Sequence, residues 1–281
     1  MSQPTLIDQA RAGDMDALSE LFAEWRSALQ SYVFRLTANR AESEDYVQDI
    51  FLEVHKSIHT FRAEGSFKSW LFTIATRYVR AQLARRQAWR YDTFERAKVK
   101  AHDGPESASI MQAVLRTHQT APNASFDLQE HIDFCFTCTG KMLPLDQQVA
   151  LLLKDIHGFK VKEVALIMEL RYGVVRHLLH DARTTMMRLF DNRCALVNKN
   201  GVCHQCSALS GLFNADANIH QLKLAQEGAT SRDQERLYQL RLDLIQAVTP
   251  PFTGSADLHD TMLKLLFRPV NQDPAQVEEA A

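Results

Sequence analysis

Apolar residues recur at intervals of three and four residues along most of the chain, which is the pattern of helices with one buried face. Three such segments lie in the first third of the sequence. The first is predicted to run from Leu18 to Leu36, and the next two to begin at the N-cap residues Ser43 and Ser66. The pattern therefore predicts an all-α fold, with three or four helices in this first part.

A second helical segment begins at Leu143, after a stretch that contains Gly104, Pro105 and Pro122 and has weak periodicity. It predicts a short helix, a three-residue turn over Arg171–Gly173 and a longer helix. This is the helix-turn-helix arrangement, whose second helix can lie in the DNA major groove. The predicted organisation is a helical domain over residues 1–96, a linker over 97–129, a helix-turn-helix domain over 130–192 and a helical C-terminal extension over 193–281.

Charge is distributed unevenly along the chain, although its 281 residues carry a net charge of only -2. Residues 1–55 contain four Arg against ten Asp and Glu, a net charge of -6. Residues 56–100 contain eleven Lys and Arg against three Asp and Glu, a net charge of +8, and aromatic residues lie among them. Such a segment is typical of a surface that binds phosphates and bases, although an ordinary solvated basic helix has a similar composition.

Several other classes of protein are not indicated. A hydrophobic content of 46% with 10 Gly and 8 Pro excludes collagen-like and largely disordered chains. The amino terminus lacks the pattern of a secretory signal, and no stretch approaches the roughly 18 apolar residues of a spanning helix, so a cytoplasmic protein without membrane insertion is expected. Motifs of nucleotide-binding loops, zinc proteases and serine hydrolases are absent from the sequence, and no enzymatic activity is expected.

The five cysteines flank the predicted helix-turn-helix domain. Cys135 and Cys138 form one CxxC pair before it, Cys203 and Cys206 form another after it, and Cys194 stands alone. Each pair can chelate a metal from a tight turn, so zinc bound by these four thiolates is the leading prediction. Cys194 or His204 is a substitute or additional ligand. An iron–sulfur cluster would use the same thiolates, and unliganded thiols in a reducing compartment are the plain alternative.

Two segments together resemble the extracytoplasmic-function (ECF) group of bacterial RNA polymerase sigma factors. The segment that resembles sigma region 2 is residues 41–87, AESEDYVQDIFLEVHKSIHTFRAEGSFKSWLFTIATRYVRAQLARRQ. The segment that resembles sigma region 4 is residues 143–183, LPLDQQVALLLKDIHGFKVKEVALIMELRYGVVRHLLHDAR. The resemblance extends over roughly residues 10–192, and the two segments stand in the order of the family.

The resemblance implies partners and roles for particular residues. Core RNA polymerase and promoter DNA are the implied partners, and an anti-sigma factor is a further one. The residues that match the polymerase-docking helix face are Asp45, Gln48, Asp49, Phe51 and Leu52. The residues implied to contact DNA are Arg77, Tyr78, Arg80, Arg85 and Arg86 in the first segment, and Val174, Arg176 and His177 in the second.

The sequence also departs from the family pattern. Thr76 and Arg77 stand where an Arg-Asn pair is common, Ala81 replaces a usual Asp, and Leu178 stands where the family often has Arg. The family's base preference at the promoter element that region 2 reads therefore does not transfer to this chain, and Leu178 suggests a different recognition sequence or weaker binding by region 4. Trp70 and Phe72 are expected in the core. The cysteine-containing extension resembles subgroups with a C-terminal regulatory domain, so regulation in cis through metal or redox state is expected.

Two other functions are compatible with parts of the sequence. A helix-turn-helix regulator with a metal-sensing module would bind DNA without engaging polymerase, and the acidic helix from Asp45 to Leu52 argues against it. A thiol oxidoreductase would place CxxC at the start of a helix that follows a strand. The pairs here adjoin helical patterns, so the sigma factor is the favoured prediction.

Overall fold

The structure is a computed structural model that describes residues 5–62, 66–84, 112, 135–193 and 234–247. Every regular element in these residues is helical, as predicted. The first helices are α1 Leu6–Arg11, α2 Met15–Thr37, α3 Arg40–Ser57 and α4 Phe67–Leu83, with a 3₁₀ turn at Ile58–Thr60. The later ones are α5 at residues 135–140, α6 Leu145–Leu151 with a π-helical continuation Leu152–Ile156, α7 Val161–Met168, α8 Tyr172–Arg193 and α9 Gln234–Ala247.

Polar side chains fix where the early helices begin. The hydroxyl of Ser66 accepts a hydrogen bond from the Ser69 N–H at 3.3 Å, which confirms its prediction as the N-cap of α4. The N-cap predicted at Ser43 is wrong. Helix α3 begins earlier, because Asn39 accepts from the Glu42 N–H at 3.2 Å, while Ser43 is buried and accepts a hydrogen bond from Gln30.

The chain divides into two compact units. The first comprises Met1–Gln87 with Pro144–Ala182, and the second comprises Ala88–Leu143 with Arg183–Ala281. Helices from both of the predicted sigma-like segments thus belong to the first unit. In the second, the Phe136 ring lies 6.2 Å from that of Phe190 and 6.4 Å from that of Tyr238. The domain limits predicted from the sequence stay a prediction.

An aromatic cluster lies at the centre of the first unit. The Phe72 ring of α4 lies 5.4 Å from Tyr32 of α2, 5.1 Å from His157 and 5.1 Å from Phe159. Phe72 and Tyr32 are fully buried, and each such aromatic side chain contributes about 1.5–3 kcal/mol of burial free energy. Phe72 is therefore a core residue, as predicted, and Trp70 is half-buried beside Phe61 and Phe67.

The buried phenol of Tyr32 has a polar partner. Its hydroxyl shares a hydrogen bond of 2.9 Å with the Thr76 hydroxyl, which is also buried. Burial raises the pKa of Tyr32 far above its ordinary value, so the phenol is neutral in this position.

Among the helices that the structure describes, none is both long and apolar enough to span a membrane.

Replacing either member of this buried pair should destabilise the protein. Tyr32→Phe leaves the Thr76 hydroxyl without this partner, so we expect a loss of about 1 kcal/mol in unfolding free energy. Thr76→Val should cost a similar amount. The combination of both substitutions should cost less than the sum of the single losses, as measured by urea denaturation in a double-mutant cycle. Fully additive losses would contradict a direct Tyr32–Thr76 bond.

Candidate nucleic-acid interface

Helix α3 presents an acidic and apolar face to solvent. Asp45, Gln48, Asp49 and Leu52 are exposed and follow helical spacing, so they lie on one side of the helix. Leu52 is 52% exposed, which is unusual for a large apolar side chain in this molecule. Phe51 points partly inward, because its ring packs edge-on against Phe22 at 5.0 Å. Four of the five predicted docking residues therefore lie on the surface, while Phe51 also serves the core.

Two predicted DNA-binding residues of α4 already have partners within the protein. The exposed Arg77 guanidinium donates a hydrogen bond to the Glu169 carboxylate. This bond lowers the pKa of Glu169 and raises that of Arg77. The Tyr78 hydroxyl donates to the carboxylate of Asp49, a predicted docking residue. Burial, with Asp49 as a further cause, raises the pKa of Tyr78.

Arg80 binds the C-terminal end of α7. Its guanidinium donates to the Met168 carbonyl at 3.2 Å and forms an ion pair of 2.9 Å with Asp146. Met168 is the last residue of α7, so its carbonyl has no acceptor role within the helix. A cation at this position also meets the negative end of the helix dipole. Arg80 is thus held by backbone and side-chain groups together.

Lys68 makes an equivalent contact at the other end of α4. Its ammonium donates to the His157 carbonyl at 2.9 Å and lies 4.5 Å from the centre of the Phe159 ring. His157 follows the π-helical segment that continues α6, so its carbonyl also stands at a helix C-terminus. Partial burial lowers the pKa of Lys68, and the charge of Glu163 opposes this shift. Lys68 was not among the predicted site residues.

The four residues Lys68, Phe72, Thr76 and Arg80 form one stripe on α4, because each follows the last by four positions. Cations occupy its ends and the aromatic core its middle. The only signal in the sequence for the contacts of Lys68 was this i,i+4 spacing, and the sequence analysis did not use it. Their acceptors are backbone carbonyls, which no side-chain pattern identifies.

The helix-turn-helix consists of α7, a turn and α8. Its turn lies earlier than predicted, because Glu169 adopts the left-handed conformation with φ 58° and Tyr172 already begins α8. Gly173 consequently lies inside the helix. Arg176 and His177 are exposed in the first turns of α8, and Val174 is half-buried. Both polar side chains are thus accessible to a groove of DNA.

The first CxxC pair lies on one short helix, α5. Cys135 is half-buried and Cys138 is completely buried. Residues three apart share a helix face, so both thiols lie on one side of α5. In the described part of the chain, no group of three or more metal-ligating side chains comes together. The other predicted ligands, Cys203, Cys206, Cys194 and His204, lie outside the described residues, as do Arg85 and Arg86.

Comparison with known proteins yields two family models in the order expected for a sigma factor. Sigma-70 region 2 matches residues 21–90, and sigma-70 region 4 matches residues 136–186. The chain therefore contains both conserved regions of a sigma-70 family sigma factor. The RNA polymerase sigma-H factor of Pseudomonas aeruginosa is 22% identical over 179 residues, which are 63% of this chain and 88% of that factor.

A second relative of this chain is the ECF RNA polymerase sigma-E factor of Escherichia coli K12. It is 24% identical over 187 residues, which are 65% of this chain and 91% of the relative. Two solved structures also resemble this chain, at 20% identity each. CnrH in complex with the cytosolic domain of CnrY aligns with a TM-score of 0.47 and covers 66% of this chain and 95% of that chain. RpoE with the anti-sigma factor NepR from Bartonella quintana aligns with a TM-score of 0.41, over 60% and 94%.

The imidazole of His157 lies among aromatic rings beside α4. Its Nε2 atom has no hydrogen-bond partner among the described residues, and its ring lies 5.5 Å from Tyr32 and 5.1 Å from Phe72. Burial lowers the pKa of His157 well below its ordinary 6.5, and the charges of Arg35 and Lys68 lower it further. The imidazole is therefore neutral when the first unit is folded.

We expect this histidine to make the fold sensitive to acid. Below pH 6.5 the unfolded chain binds a proton at His157 more readily than the folded chain. Its contribution to stability is therefore complete above pH 6.5 and is lost as the pH falls toward the lower folded pKa. The unfolding free energy, measured by urea denaturation above and below pH 6.5, should fall less on acidification for His157→Leu than for the wild type. His180→Gln, which changes an exposed histidine, is the control and should behave as the wild type does.

Equal acid sensitivity in wild type and His157→Leu would show that His157 is not the responsible group. Other groups titrate in both proteins. The contribution of His157 is therefore the difference between the acid-induced losses of unfolding free energy in the wild type and in His157→Leu.

Proposed function

We propose that this chain binds core RNA polymerase and directs it to promoters for transcription initiation. The observation that carries this function is the presence of region 2 and region 4 in one chain and in this order. Region 2 contributes the exposed acidic helix α3 and the basic helix α4, and region 4 contributes the helix-turn-helix. A factor of this kind positions the polymerase and stabilises opened DNA, and it needs no catalytic residues of its own.

The exposed face of α3 is the proposed polymerase contact. Its carboxylates at Asp45 and Asp49 would attract a basic helical surface over several ångströms, and Leu52 would supply apolar area once the surfaces meet. The exposure of Leu52 supports this assignment, because a large apolar side chain that is 52% exposed leaves apolar area available to a partner. Phe51 contributes less, since Phe22 already covers part of its ring.

The proposed DNA contacts lie on two helices. Arg176 is the strongest candidate for a base or phosphate contact in region 4, because its side chain is exposed near the start of α8 and guanidinium pairs well with guanine. On α4, Arg77 and Arg80 would bind phosphates and Tyr78 would stack on an unpaired base. We place this activity in the cytoplasm, where core polymerase acts, and keep an anti-sigma factor as a proposed further partner.

We also propose that the cysteines bind a metal that regulates the factor in cis. Cys135 and Cys138 fit as one half of a site, because α5 holds both thiols on the same face. With Cys203 and Cys206 they would supply four thiolates, which suit zinc or an iron–sulfur cluster. Such a metal would link α5 to the C-terminal extension. The burial of Cys138 is equally expected for a packed thiol, so metal content decides between the two roles.

Charge reversal on α3 should test polymerase docking. Asp45→Arg places a cation on the proposed contact face, so binding to core polymerase should weaken by about tenfold. Glu20→Arg, which reverses the charge of an exposed residue on another helix, α2, is the matched control. Binding is measured by fluorescence anisotropy and function by run-off transcription. Equal losses for both variants would contradict a specific face, and no promoter-dependent transcript from the wild type would contradict the proposed function.

Metal analysis should test the cysteine proposal. The full chain purified without oxygen should contain about one equivalent of zinc or of an iron cluster. The double variant Cys203→Ser with Cys206→Ser should lose it, and this choice avoids the buried Cys138. A chelator should change run-off transcription by the wild type but not by the double variant. Absence of both metals from the wild type would overturn the site, and transcription indifferent to a chelator that removes the metal would leave it without a regulatory role.

A further inference from the structure

Two tyrosine rings meet where α3 packs beside α4. The rings of Tyr46 and Tyr78 lie 5.5 Å apart with their planes at 76°, the edge-to-face arrangement that aromatic pairs favour. The Tyr46 hydroxyl donates to the Glu42 carboxylate at 2.8 Å. The Tyr78 hydroxyl donates to Oδ2 of Asp49. Both rings are half-buried, so part of each remains open to solvent.

Asp49 belongs to two surfaces at once. It lies one turn after Asp45 on the exposed face of α3, which is the proposed polymerase contact. It also accepts the hydrogen bond of Tyr78, which is the proposed base-stacking residue of α4. A carboxylate has two oxygens with about four lone-pair positions, so Asp49 can accept from a polymerase cation and from Tyr78 together. The docking face and the DNA-binding helix are thus joined through one side chain.

The contacts of α3 hold the Tyr78 ring by its edge and by its hydroxyl. Burial, with Asp49 as a further cause, raises the pKa of Tyr78, and a hydrogen bond from Gln82 opposes this shift. The phenol therefore stays protonated and remains a donor at neutral pH. Because Asp49 is exposed in the free chain, water competes for its carboxylate and the bond contributes little to stability.

Polymerase docking would change the surroundings of this bond. A protein surface that covers α3 excludes water from Asp49, and a hydrogen bond to a charged acceptor is stronger where water is excluded. The Tyr78 side chain is then held in one orientation before a base arrives. Stacking costs less side-chain entropy when the ring is already ordered. Docking and stacking thereby favour one another.

We infer that Asp49 is a positioning residue for Tyr78, and that the hydrogen bond between them couples polymerase docking to the stacking of an unpaired base. This inference rests on the proposed function, because it concerns the two partners that the function assigns. Asp49 acts on DNA only through Tyr78. Since such coupling is reciprocal, single-stranded DNA should raise the affinity for polymerase by the factor by which polymerase raises the affinity for DNA.

Removal of the phenol hydroxyl should weaken the coupling. Fluorescence anisotropy of the labelled full chain gives its affinity for core polymerase without and with saturating mixed-sequence single-stranded DNA, and the ratio of the two affinities is the coupling factor. Tyr78→Phe keeps the ring but removes the donor, so this factor should fall about two- to fivefold. DNA contacts made by the polymerase itself contribute equally in every variant. Tyr172→Phe, which removes an exposed phenol from the start of α8, is the matched control and should keep the wild-type factor.

A double-mutant cycle separates positioning from a direct contact between the hydroxyl and DNA. In the Asp49→Ala background, Tyr78→Phe should not lower the coupling factor further, because the acceptor is already absent. An equal further loss would show that the hydroxyl itself contacts DNA and would overturn the positioning role. Asp49→Asn keeps a carbonyl acceptor for Tyr78, so it should retain more of the coupling than Asp49→Ala while it weakens docking.

The remaining outcomes separate this inference from the proposed function. Tighter polymerase binding by Tyr78→Phe without DNA would show that the phenol competes with polymerase for Asp49, and would overturn the inference. A wild-type coupling factor in Tyr78→Phe would also overturn it. In both cases promoter-dependent run-off transcripts from the wild type would leave the proposed function intact. Failure of the wild type to bind core polymerase would overturn both.

Discussion

The contact of Phe72 with His157 and Phe159 is the interaction on which the first unit depends. It joins α4 to the segment between α6 and α7, and Tyr32 of α2 contacts both Phe72 and His157. Because Phe72 is completely buried, α4 cannot lose this neighbour without exposing an aromatic ring to water. Every polar contact of the basic stripe follows from the position that this packing imposes on α4.

Helix ends supply many of the polar partners in the same unit. Gln148 of α6 donates a hydrogen bond of 2.8 Å to the Arg35 carbonyl, two residues before the end of α2. Arg80 does the same for the last carbonyl of α7, and Lys68 for the carbonyl that follows the π-helical segment. Carbonyls in the last turn have no partner within their helix, and buried ones are costly unless another group bonds them. The packed helices thus supply hydrogen-bond donors for the carbonyls at one another's ends.

Sequence reasoning reached the helices because their apolar spacing is set by one buried face. The docking residues of α3 came from the family resemblance instead, and their role stays a prediction. It missed α1, a helix of six residues that is too short to show a period. It also placed the cap of α3 at Ser43, since both Asn39 and Ser43 are good caps in sequence and only burial separates them. The turn before α8 was placed on Gly173, whereas Glu169 accepts the left-handed conformation. The cap of Ser66 was correct because no competing residue precedes α4.

The basic character of α4 was visible in the sequence, but its partners were not. Positive charge predicts an anionic partner without saying whether that partner is DNA or a group of the same chain. Glu169 and Asp146 are ordinary acidic residues in sequence, and the carbonyls of Met168 and His157 have no sequence pattern at all. Only the fold brings them to α4.

The division between apolar and polar contacts determines how such an interface responds to DNA. A buried aromatic side chain contributes about 1.5–3 kcal/mol, whereas an exposed ion pair contributes about 0–1 kcal/mol. The apolar centre therefore sets how often the helices separate, and it is insensitive to salt. The ion pairs set how well an anion competes after separation, and salt screens them as it screens phosphate contacts. Because salt weakens both the ion pairs and the phosphate contacts that arginines make, the aromatic cluster is the part of this interface that salt affects least.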